Sequence, residues 1–285
     1  GQSSRELARL MVGSELPGEI RPDRHQPKER RLELETVSAC DDRGLTALRS
    51  VSLDLRAGEI LGIAGVAGNG QRELAQVITG LRVPVSGRIL LDGQDVTSVS
   101  ARSMAVHGVA HIPEDRLGEG LAGNLTLQDN AVLKNYYQPP VASGPFLNVR
   151  AAARFTRHLI DRFAITRATP RTIARLLSGG QLQRFLLARE MAIDPRVLVA
   201  VHPTRGLDVA ATQSVQEWLL AARDRDCAIL LISEDLDEIL RISDRAAVLY
   251  EGHVVAVVDS VEAQREQIGL MMAGSHGVEP VAAAT

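Results

Sequence analysis

A glycine-rich segment at 65–72 is the first stretch of this chain whose residue types and spacing could do chemistry. It reads Gly-Val-Ala-Gly-Asn-Gly-Gln-Arg, and it joins the apolar run 60–64 to the helix-like segment 73–81. Phosphate-binding loops have this placement and this glycine spacing, because their backbone N–H groups surround a phosphate group. The residues that such a loop would present are Gly65, Gly68, Asn69, Gly70, Gln71 and Arg72.

The segment lacks the two side chains that phosphate chemistry uses. The loop pattern asks for Lys, which reaches the terminal phosphates, and then for Ser or Thr, whose hydroxyl holds Mg²⁺. Gln71 and Arg72 occupy these two positions. The segment is therefore either a plain glycine-rich turn or a nucleotide site without its catalytic side chains.

A turn of small residues at 177–181, reading Leu-Ser-Gly-Gly-Gln, is the second candidate. It leads directly into the helix-like segment 182–191. Unpaired N–H groups and the positive end of the helix dipole make such a helix start an anion site. As a bare Ser-Gly-Gly turn the signal is weak. The residues that would face an anion are Ser178, Gly179, Gly180 and Gln181.

Alternating strand-like and helix-like segments would position both loops. Continuous apolar runs, which are typical of strands buried in a parallel sheet, lie at 60–64, 109–112, 197–201, 228–232 and 246–250. Helical segments follow two of these runs. The alternation predicts an α/β fold with a mostly parallel, helix-covered sheet, whose ligand lies at the carboxyl ends of the strands.

Two further regions depart from this pattern. Segments 32–37 and 51–55 alternate apolar and polar residues, as half-buried antiparallel strands do. Segments 126–137 and 149–163 have helical apolar spacing and are separated by a loop rich in Pro and Gly. We therefore expect an antiparallel β subdomain and an inserted helical subdomain at about 115–176.

The composition excludes several classes of function. The chain has 285 residues, a net charge of −3 and a pI near 6.2, so no basic field suggests a nucleic-acid partner. Cys40 and Cys227 lie far apart and have no metal-ligand spacing, which favours two buried reduced thiols. No apolar run approaches the roughly 20 residues that cross a bilayer, so membrane association would come through a partner.

The domain boundaries follow from composition. Residues 1–30 contain a short amphipathic segment and a Pro-rich, charged linker, 31–274 form the main domain, and 275–285 form a flexible tail. The amphipathic segment near residue 5 resembles the one near residue 266. The match is either coincidence or the tail of a preceding homologous copy, in which case this chain is the second half of a tandem duplication.

The order of motifs resembles the nucleotide-binding domain of ATP-binding-cassette (ABC) transporters. The turn at 177–181 is followed by Arg184, by Ala-Arg, by an apolar strand and by Pro-Thr-Arg-Gly-Leu-Asp ending at Asp208. The resemblance implies a P-loop NTPase fold of ABC type and paired domains, with each ATP held between one phosphate loop and the partner's signature turn. It assigns Ser178–Gln181 to the partner's ATP, Asp208 to communication between sites, and Glu114 to the Gln position that senses the γ-phosphate. Segments 126–163 would dock a membrane subunit.

The chain departs from the family at its own catalytic positions. An Asp that orders Mg²⁺ and a Glu that activates water would end the strand before Pro203, where Val201 and His202 stand. Glu234 replaces the switch histidine. Residues 42–45 offer no aromatic side chain to stack on adenine.

These departures together predict a site that does not hydrolyse ATP. Phosphoryl transfer depends on positioning and on charge neutralisation by Lys and Mg²⁺, and this loop has neither Lys nor metal ligands. Arg72 would repel a metal, although it could pair with phosphate. His202 could act as a base, but a base without a metal site is a poor catalyst, and the alternative is a histidine that hydrogen-bonds a strand end.

The resemblance is strongest to the ATPase subunits of simple-sugar and nucleoside importers, which fuse two such domains. Replacement of the acidic pair by Val201 and His202 is more similar to the nucleoside group. We therefore expect ATP as ligand, with Mg²⁺ at the partner domain's site rather than here. Expected partners are an N-terminal domain of the same polypeptide, integral-membrane permease subunits at the cytoplasmic face, and indirectly an extracytoplasmic solute-binding protein. A soluble ABC protein without a membrane partner is the rival interpretation.

Overall fold

The computed structural model describes residues 28–139, 141–143, 146–260 and 263–274. The strands are β1 (Arg30–Cys40), β2 (Thr46–Arg56), β3 (Ile60–Ala64), β4 (Ser86–Leu91), β5 (Gln94–Asp95), β6 (Val109–Ile112), β7 (Ala142–Ser143), β8 (Phe146–Leu147), β9 (Val197–Val201), β10 (Ala228–Ser233), β11 (Arg245–Tyr250) and β12 (His253–Asp259). The helices are α1 (Gln71–Ile78), α2 (Ala101–Val106), α3 (Leu127–Val132), α4 (Val149–Arg162), α5 (Gly179–Met191), α6 (Val209–Arg223), α7 (Leu236–Ile242) and α8 (Arg265–Met272).

The central sheet has six strands in the order β12-β11-β3-β10-β9-β6. All neighbours run parallel except β12, which pairs antiparallel with β11. Strands β3, β9 and β10 are buried along their whole length, which explains their continuous apolar sequences. Their carboxyl ends lie at one edge of the sheet, and this edge carries the loops that follow β3, β9 and β10.

A second sheet is antiparallel, in the order β2-β1-β4-β5. β1 pairs with both β2 and β4, and the ladder is interrupted by register shifts. Inward-facing side chains such as Leu34, Val37 and Leu53 join the same core cluster as Leu61 of β3. The antiparallel subdomain is therefore packed directly on the central sheet.

The helical insertion contains α3, α4 and the small β7–β8 hairpin. Thr126 begins α3 with a capping box, because its hydroxyl accepts from the Asp129 N–H while the Asp129 carboxylate accepts from the Thr126 N–H. The insertion shares a core cluster with α5, in which Phe185 and Leu159 are buried. Thus α5 packs against both the helical insertion and the central sheet.

The structure confirms the α/β architecture with an antiparallel β subdomain and inserted helices, and it corrects several bounds. The apolar spacing over 126–137 yields a helix that ends at Val132, and residues 133–139 form turns. Sequence patterns missed α2 and β12. Cys227 is buried, but Cys40 is only half-buried, so the expectation of two buried thiols was wrong for Cys40.

The two predicted terminal segments lie almost entirely outside the described residues. The predicted tail and linker at 1–30 and the predicted flexible tail at 275–285 lie, apart from residues 28–30, outside the described residues. Within the described residues, no helix is both long and apolar enough to cross a membrane.

Candidate functional site

The glycine-rich segment connects the end of β3 to the start of α1, as the sequence predicted. Gly70 precedes α1 with φ of 104°, and Gly68 has φ of 89°. A Cβ atom on Gly70 would lie 2.6 Å from the carbonyl oxygen of Ala47 in β2. Only glycine fits this close approach and this left-handed backbone, so the loop has the backbone shape that a phosphate cradle requires.

The Gln71 side chain fills the inside of this loop. Its Nε2 donates to the carbonyl of Val66 (2.8 Å), and its Oε1 accepts from the backbone N–H of Asn69 (3.0 Å). The side chain is 7% exposed, and its Nε2 lies 2.6 Å from where a Cβ on Gly65 would be. A loop N–H that could bind phosphate is therefore already satisfied by an amide of the same loop.

The loop is also tied to the turn between β11 and β12. The Asn69 Oδ1 accepts from the Glu251 N–H (3.0 Å), and the Asn69 carbonyl accepts from the Gly252 N–H (3.1 Å). Gly252 in turn packs so closely on Ala47 that a Cβ would lie 2.4 Å from its carbonyl oxygen. Asn69 is thus an anchor of the loop, which the glycine spacing alone did not indicate.

Arg72 points away from the loop. Its guanidinium pairs with Asp42 (3.3 Å) and with Glu119 (3.6 Å), and its side chain is 59% exposed. The hydrogen bond from Arg82 and the charges of Arg82 and Arg72 hold the pKa of Asp42 below its usual value. Arg72 is therefore paired with carboxylates in this structure.

A cleft of about 700 Å³ opens beside the loop. The edge of the central sheet brings together several predicted site residues there. Those lining the cleft are Gly68, Gln71, Arg72, Glu114, Val201, His202 and Glu234. Ser178, Gly179, Gly180, Gln181 and Asp208 are not part of its lining, although Leu182 on α5 is.

Val201 and His202 close the sheet side of the cleft. Val201 is the last residue of β9 and is 7% exposed. His202 has φ of 46°, and its N–H donates to the Ile232 carbonyl (2.8 Å), which continues the pairing of β9 with β10. An isopropyl group and an imidazole provide no carboxylate here. Mg²⁺ prefers oxygen ligands such as carboxylates, so these two positions offer it no ligand oxygen from their side chains.

Glu238 of α7 was not identified from the sequence. It is 2% exposed, and its carboxylate accepts from Ser233 Oγ (2.7 Å), Thr204 Oγ1 (2.7 Å) and Gln216 Nε2 (3.4 Å). These donors come from the end of β10, the loop after β9 and α6. Glu238 therefore fixes two cleft loops relative to each other, and no local sequence pattern signals this long-range role.

His111 of β6 lines the cleft from the other side. The pKa of its imidazole is lowered to about 4, mainly by burial and also by the charges of Lys134 and Arg189, against the opposing charge of Glu190. Glu190 is fully buried and forms ion pairs with Lys134 and Arg189. The His111 N–H donates to the same carboxylate (3.3 Å). This cluster joins the helical insertion, α5 and the sheet.

The signature turn is the N-terminus of α5. The Ser178 hydroxyl accepts from the Gln181 N–H (3.4 Å), and the Gln181 Oε1 accepts from the Ser178 N–H (3.2 Å), which completes a capping box. The Gln181 Nε2 also donates to the carbonyl of Thr166 (2.8 Å). Among the described residues, the N–H groups of Gly179 and Gly180 have no hydrogen-bond partner. This helix start is open to an external acceptor.

Glu114 and Asp208 occupy different parts of the same surface. The Glu114 carboxylate accepts from the guanidinium of Arg205, in the loop after β9. Asp208 caps α6, because its Oδ1 accepts from the Ala211 N–H (2.8 Å). The loop between β9 and α6 is therefore fixed at two points, by the pairing of Arg205 with Glu114 and by the Asp208 cap.

Comparisons with known proteins agree with this architecture. The ABC transporter family matches residues 48–205. The Glucose import ATP-binding protein TsgD13 of Haloferax volcanii is 44% identical over 274 residues, covering 95% of this chain and 50% of that protein. The Guanosine import ATP-binding protein NupO of Bacillus subtilis is 40% identical over 270 residues, covering 95% of this chain and 53% of that protein. The chain spans about half the length of these relatives.

A solved structure supports the fold. The dimeric ATP-binding cassette MJ0796, bound to ADP and Pi, has a TM-score of 0.70 at 19% identity and covers 80% of this chain and 98% of its own. This likeness confirms the P-loop NTPase fold of ABC type. The family match spans more than half of the chain, and its motifs lie at the sheet edge where the fold brings the loops together. The chain therefore belongs to the ABC transporter family.

Proposed function

We propose that this chain is one ATP-binding half of a tandem-domain importer ATPase, and that it serves the partner domain's active site rather than its own. The observation that carries this proposal is the contrast between two backbone sites. The phosphate loop has Gln71 and Arg72 where Lys and Ser or Thr would stand, and the Gln71 amide fills its inside, whereas the signature turn keeps its small residues with the N–H groups of Gly179 and Gly180 available. The signature turn would donate to ATP that the partner domain's phosphate loop holds.

The chain's own loop holds nucleotide weakly or without turnover. A phosphate oxygen must displace Gln71 Oε1 and the Val66 carbonyl oxygen to reach the Asn69 N–H, and Arg72 must leave two carboxylates to reach phosphate. Val201, His202 and Glu234 provide neither a metal site nor a well-placed base. Mg²⁺, which neutralises charge on the transferred phosphoryl group, would be bound with ATP at the partner's loop.

The chain joins the partner's site through its surface loops. Ser178, Gly179, Gly180 and Gln181 contact the partner's ATP, and Asp208 lies at the end of the loop through which the two sites communicate. Glu114 takes the position that senses the state of the nucleotide, and its pairing with Arg205 links it to that loop. Closure of the paired domains would move the helical insertion.

The helical insertion docks integral-membrane permease subunits at the cytoplasmic face of the membrane. In support, it has large apolar side chains that are exposed among the described residues: Tyr136 is 51% exposed, Phe146 76% and Val149 61%. A solute-binding protein on the other side would act only indirectly. The net charge of −3 favours no nucleic-acid partner.

The proposed cargo is a nucleoside, with a simple sugar as the second candidate. Val201 and His202, in place of an acidic pair, favour the nucleoside group. The likeness to TsgD13, a glucose import protein, favours sugar, and that to NupO, a guanosine import protein, favours nucleoside. Radiolabelled uptake of guanosine and glucose in cells that lack the full-length protein would separate the two candidates.

Substitution of Ser178 in the full-length protein tests the composite site. Ser178→Arg places a long cation over the helix start, and we expect steady-state ATP hydrolysis to fall at least about a hundredfold, as when an oxyanion donor is removed. Ser98→Arg is the matched control, since Ser98 is exposed in the turn after β5. Turnover that survives Ser178→Arg at more than a third of the wild-type rate would refute the proposal.

The chain alone provides a second test. It should hydrolyse no measurable Mg²⁺-ATP at micromolar concentration in a coupled assay, because its loop lacks the metal ligands. A saturable Mg²⁺-dependent rate that increases with the concentration of the chain would show that its own site is active. Such a result would contradict the assignment of Gln71 and Val201 as inactive positions.

A further inference from the structure

Three segments of the chain meet at the guanidinium of Arg116. Its Nε donates to the Oε1 of Gln183 on α5 (2.7 Å), and its Nη2 donates to the carbonyl of Arg205 in the loop after β9. A Cβ on Gly179 would lie 3.3 Å from its Nη1, so the guanidinium also lies against the backbone of the signature turn. Arg116 itself follows β6. No sequence motif identified this meeting point.

Local hydrogen bonds hold the backbone around Arg116. Arg116 begins a single π-helical turn (Arg116–Gly120), and Asp115 caps this turn by accepting from the N–H groups of Leu117 and Gly118. Arg205 returns the contact, because its guanidinium donates to Glu114. The segments after β6 and after β9 are thus joined at two points, and α5 is attached to this pair through Gln183.

Gln183 is a buried polar side chain, and its contact with Arg116 is a reason for glutamine at this position. Gln183 is 1% exposed, and within the described residues its Nε2 has no hydrogen-bond partner. An unsatisfied buried N–H group costs roughly 1–3 kcal/mol, which a leucine at this position would avoid. Among the described residues, the Gln183 side chain makes its hydrogen bond through Oε1, which accepts from Arg116.

We propose that Arg116 is a positioning residue for the composite site: it fixes the N-terminus of α5, and with it the signature turn, against the loop that leads to Asp208. This inference rests on the proposed function. The planar guanidinium donates in two directions to two different elements, whereas the ammonium of lysine is a single point of charge. A shift of about 1 Å at the signature turn would misplace its N–H groups and lower turnover.

Hydrogen exchange on this chain tests the positioning step without any activity. In Arg116→Ala, we expect the amides of residues 182–185, in the first turns of α5, to exchange at least about tenfold faster than in the wild type. Arg88→Ala is the matched control, because it removes an exposed arginine ion pair with Glu35 on the antiparallel sheet. Unchanged exchange at 182–185 in Arg116→Ala would overturn the proposal.

Kinetics of the full-length protein test the functional consequence. Arg116→Ala should lower kcat tenfold to a hundredfold while KM for ATP changes less than about threefold, since the lost contact acts in the transition state. Arg116→Lys should not restore kcat. Gln183→Glu retains an acceptor for Arg116 and should keep kcat within about threefold of wild type, whereas Gln183→Leu should resemble Arg116→Ala.

The outcomes are distinguishable. Faster exchange at 182–185 with kcat within twofold of wild type would show that Arg116 holds α5 but does not position it for catalysis, which overturns the proposal. If every variant had a lower midpoint of thermal unfolding, a lower kcat and a higher KM in parallel, the effects would come from a destabilised fold, which overturns the proposal. If Ser178→Arg leaves turnover intact, the proposed function fails, and the exchange measurement still decides whether Arg116 fixes α5.

Discussion

The phosphate loop and the signature turn are both helix starts with glycines, yet different side chains occupy them. At the phosphate loop, the Asn69 N–H is bound by Gln71, and the loop is fastened to the β11–β12 turn. At the signature turn, the N–H groups of Gly179 and Gly180 are without partners in the described part of the chain. The N–H groups of Gln71 and Arg72, in the first turn of α1, also have no partner among the described residues, and no side chain caps this helix. The two sites therefore differ in the side chains that line them, and both helix starts keep N–H groups open.

The comparison extends to the side chains behind each loop. Buried Glu238 and half-buried His111 support the walls of the phosphate-loop cleft, whereas the signature turn is exposed and rests on α5. We therefore expect substitutions at the cleft to lower stability strongly. Substitutions at the turn should lower it weakly and act on the partner's chemistry instead.

The largest expected effect is that of Glu238→Ala. It leaves the hydroxyls of Ser233 and Thr204 and the amide of Gln216 without their acceptor, at roughly 1–3 kcal/mol for each buried donor. We expect the free energy of unfolding in urea to fall by about 4 kcal/mol. Glu238→Gln keeps an acceptor oxygen and should lose less than half as much. Equal losses in both variants would show that the hydrogen bonds are not what stabilises the cleft.

The next effect is a pH dependence. The imidazole of His111 has a pKa lowered to about 4 by burial, against an ordinary value of 6.5, so the folded chain binds fewer protons than the unfolded chain between these values. Stability from this group is complete above pH 6.5 and is lost as pH falls toward 4, by about 3 kcal/mol. Urea unfolding at pH 7 and pH 4.5 measures the loss.

His111→Gln is the comparison variant for this measurement, since glutamine does not titrate. Its stability should decrease less than that of the wild type over the same pH range, although both contain the same titrating carboxylates. If both proteins lose the same stability between pH 7 and pH 4.5, the His111 imidazole is not held neutral by its surroundings.

A smaller effect is expected at the phosphate loop itself. Gln71→Ala removes one of two acceptors of the Asn69 N–H, the other being the Val66 carbonyl (3.3 Å), and it removes the donor to that carbonyl; water from the cleft can replace these groups only in part. We expect a loss of about 2 kcal/mol in the free energy of unfolding. Equilibrium dialysis should also show that inorganic phosphate or ADP binds more tightly, because the Gln71 amide no longer fills the inside of the loop. Unchanged binding with lowered stability would mean that Gln71 does not compete with phosphate.

The smallest effect is expected at the signature turn. Ser178→Ala removes a capping hydroxyl whose hydrogen bond to the Gln181 N–H is long, at 3.4 Å. The expected loss in the free energy of unfolding is about 0.5–1 kcal/mol, at the lower end for an N-cap. Thermal unfolding of the chain alone measures it. A loss larger than that of Gln71→Ala would reverse the contrast between the two helix starts.

Much of the architecture could be predicted from local patterns. The apolar runs that became β3, β6 and β9 were located to the residue, since strands covered on both faces need continuous apolar side chains. α2 was missed because it has only six residues and one buried side chain, Met104, so it shows no clear periodicity. β12 contains the apolar run 254–258, but it follows β11 through a two-residue turn and pairs antiparallel with it, so the alternation of strands and helices did not predict it.

By itself, the sequence determined where the loops lie and which side chains they carry: glycine spacing fixes where backbone can approach a ligand, and residue identity puts an amide at Gln71 and an isopropyl group at Val201, so neither position brings a charge. The tertiary structure decided what these residues do instead. That Gln71 binds its own loop, that Arg72 faces Asp42 and Glu119, and that Arg116 meets Gln183 on α5 depends on contacts between distant segments. Such contacts arise from packing of the whole domain, and a local pattern does not encode them.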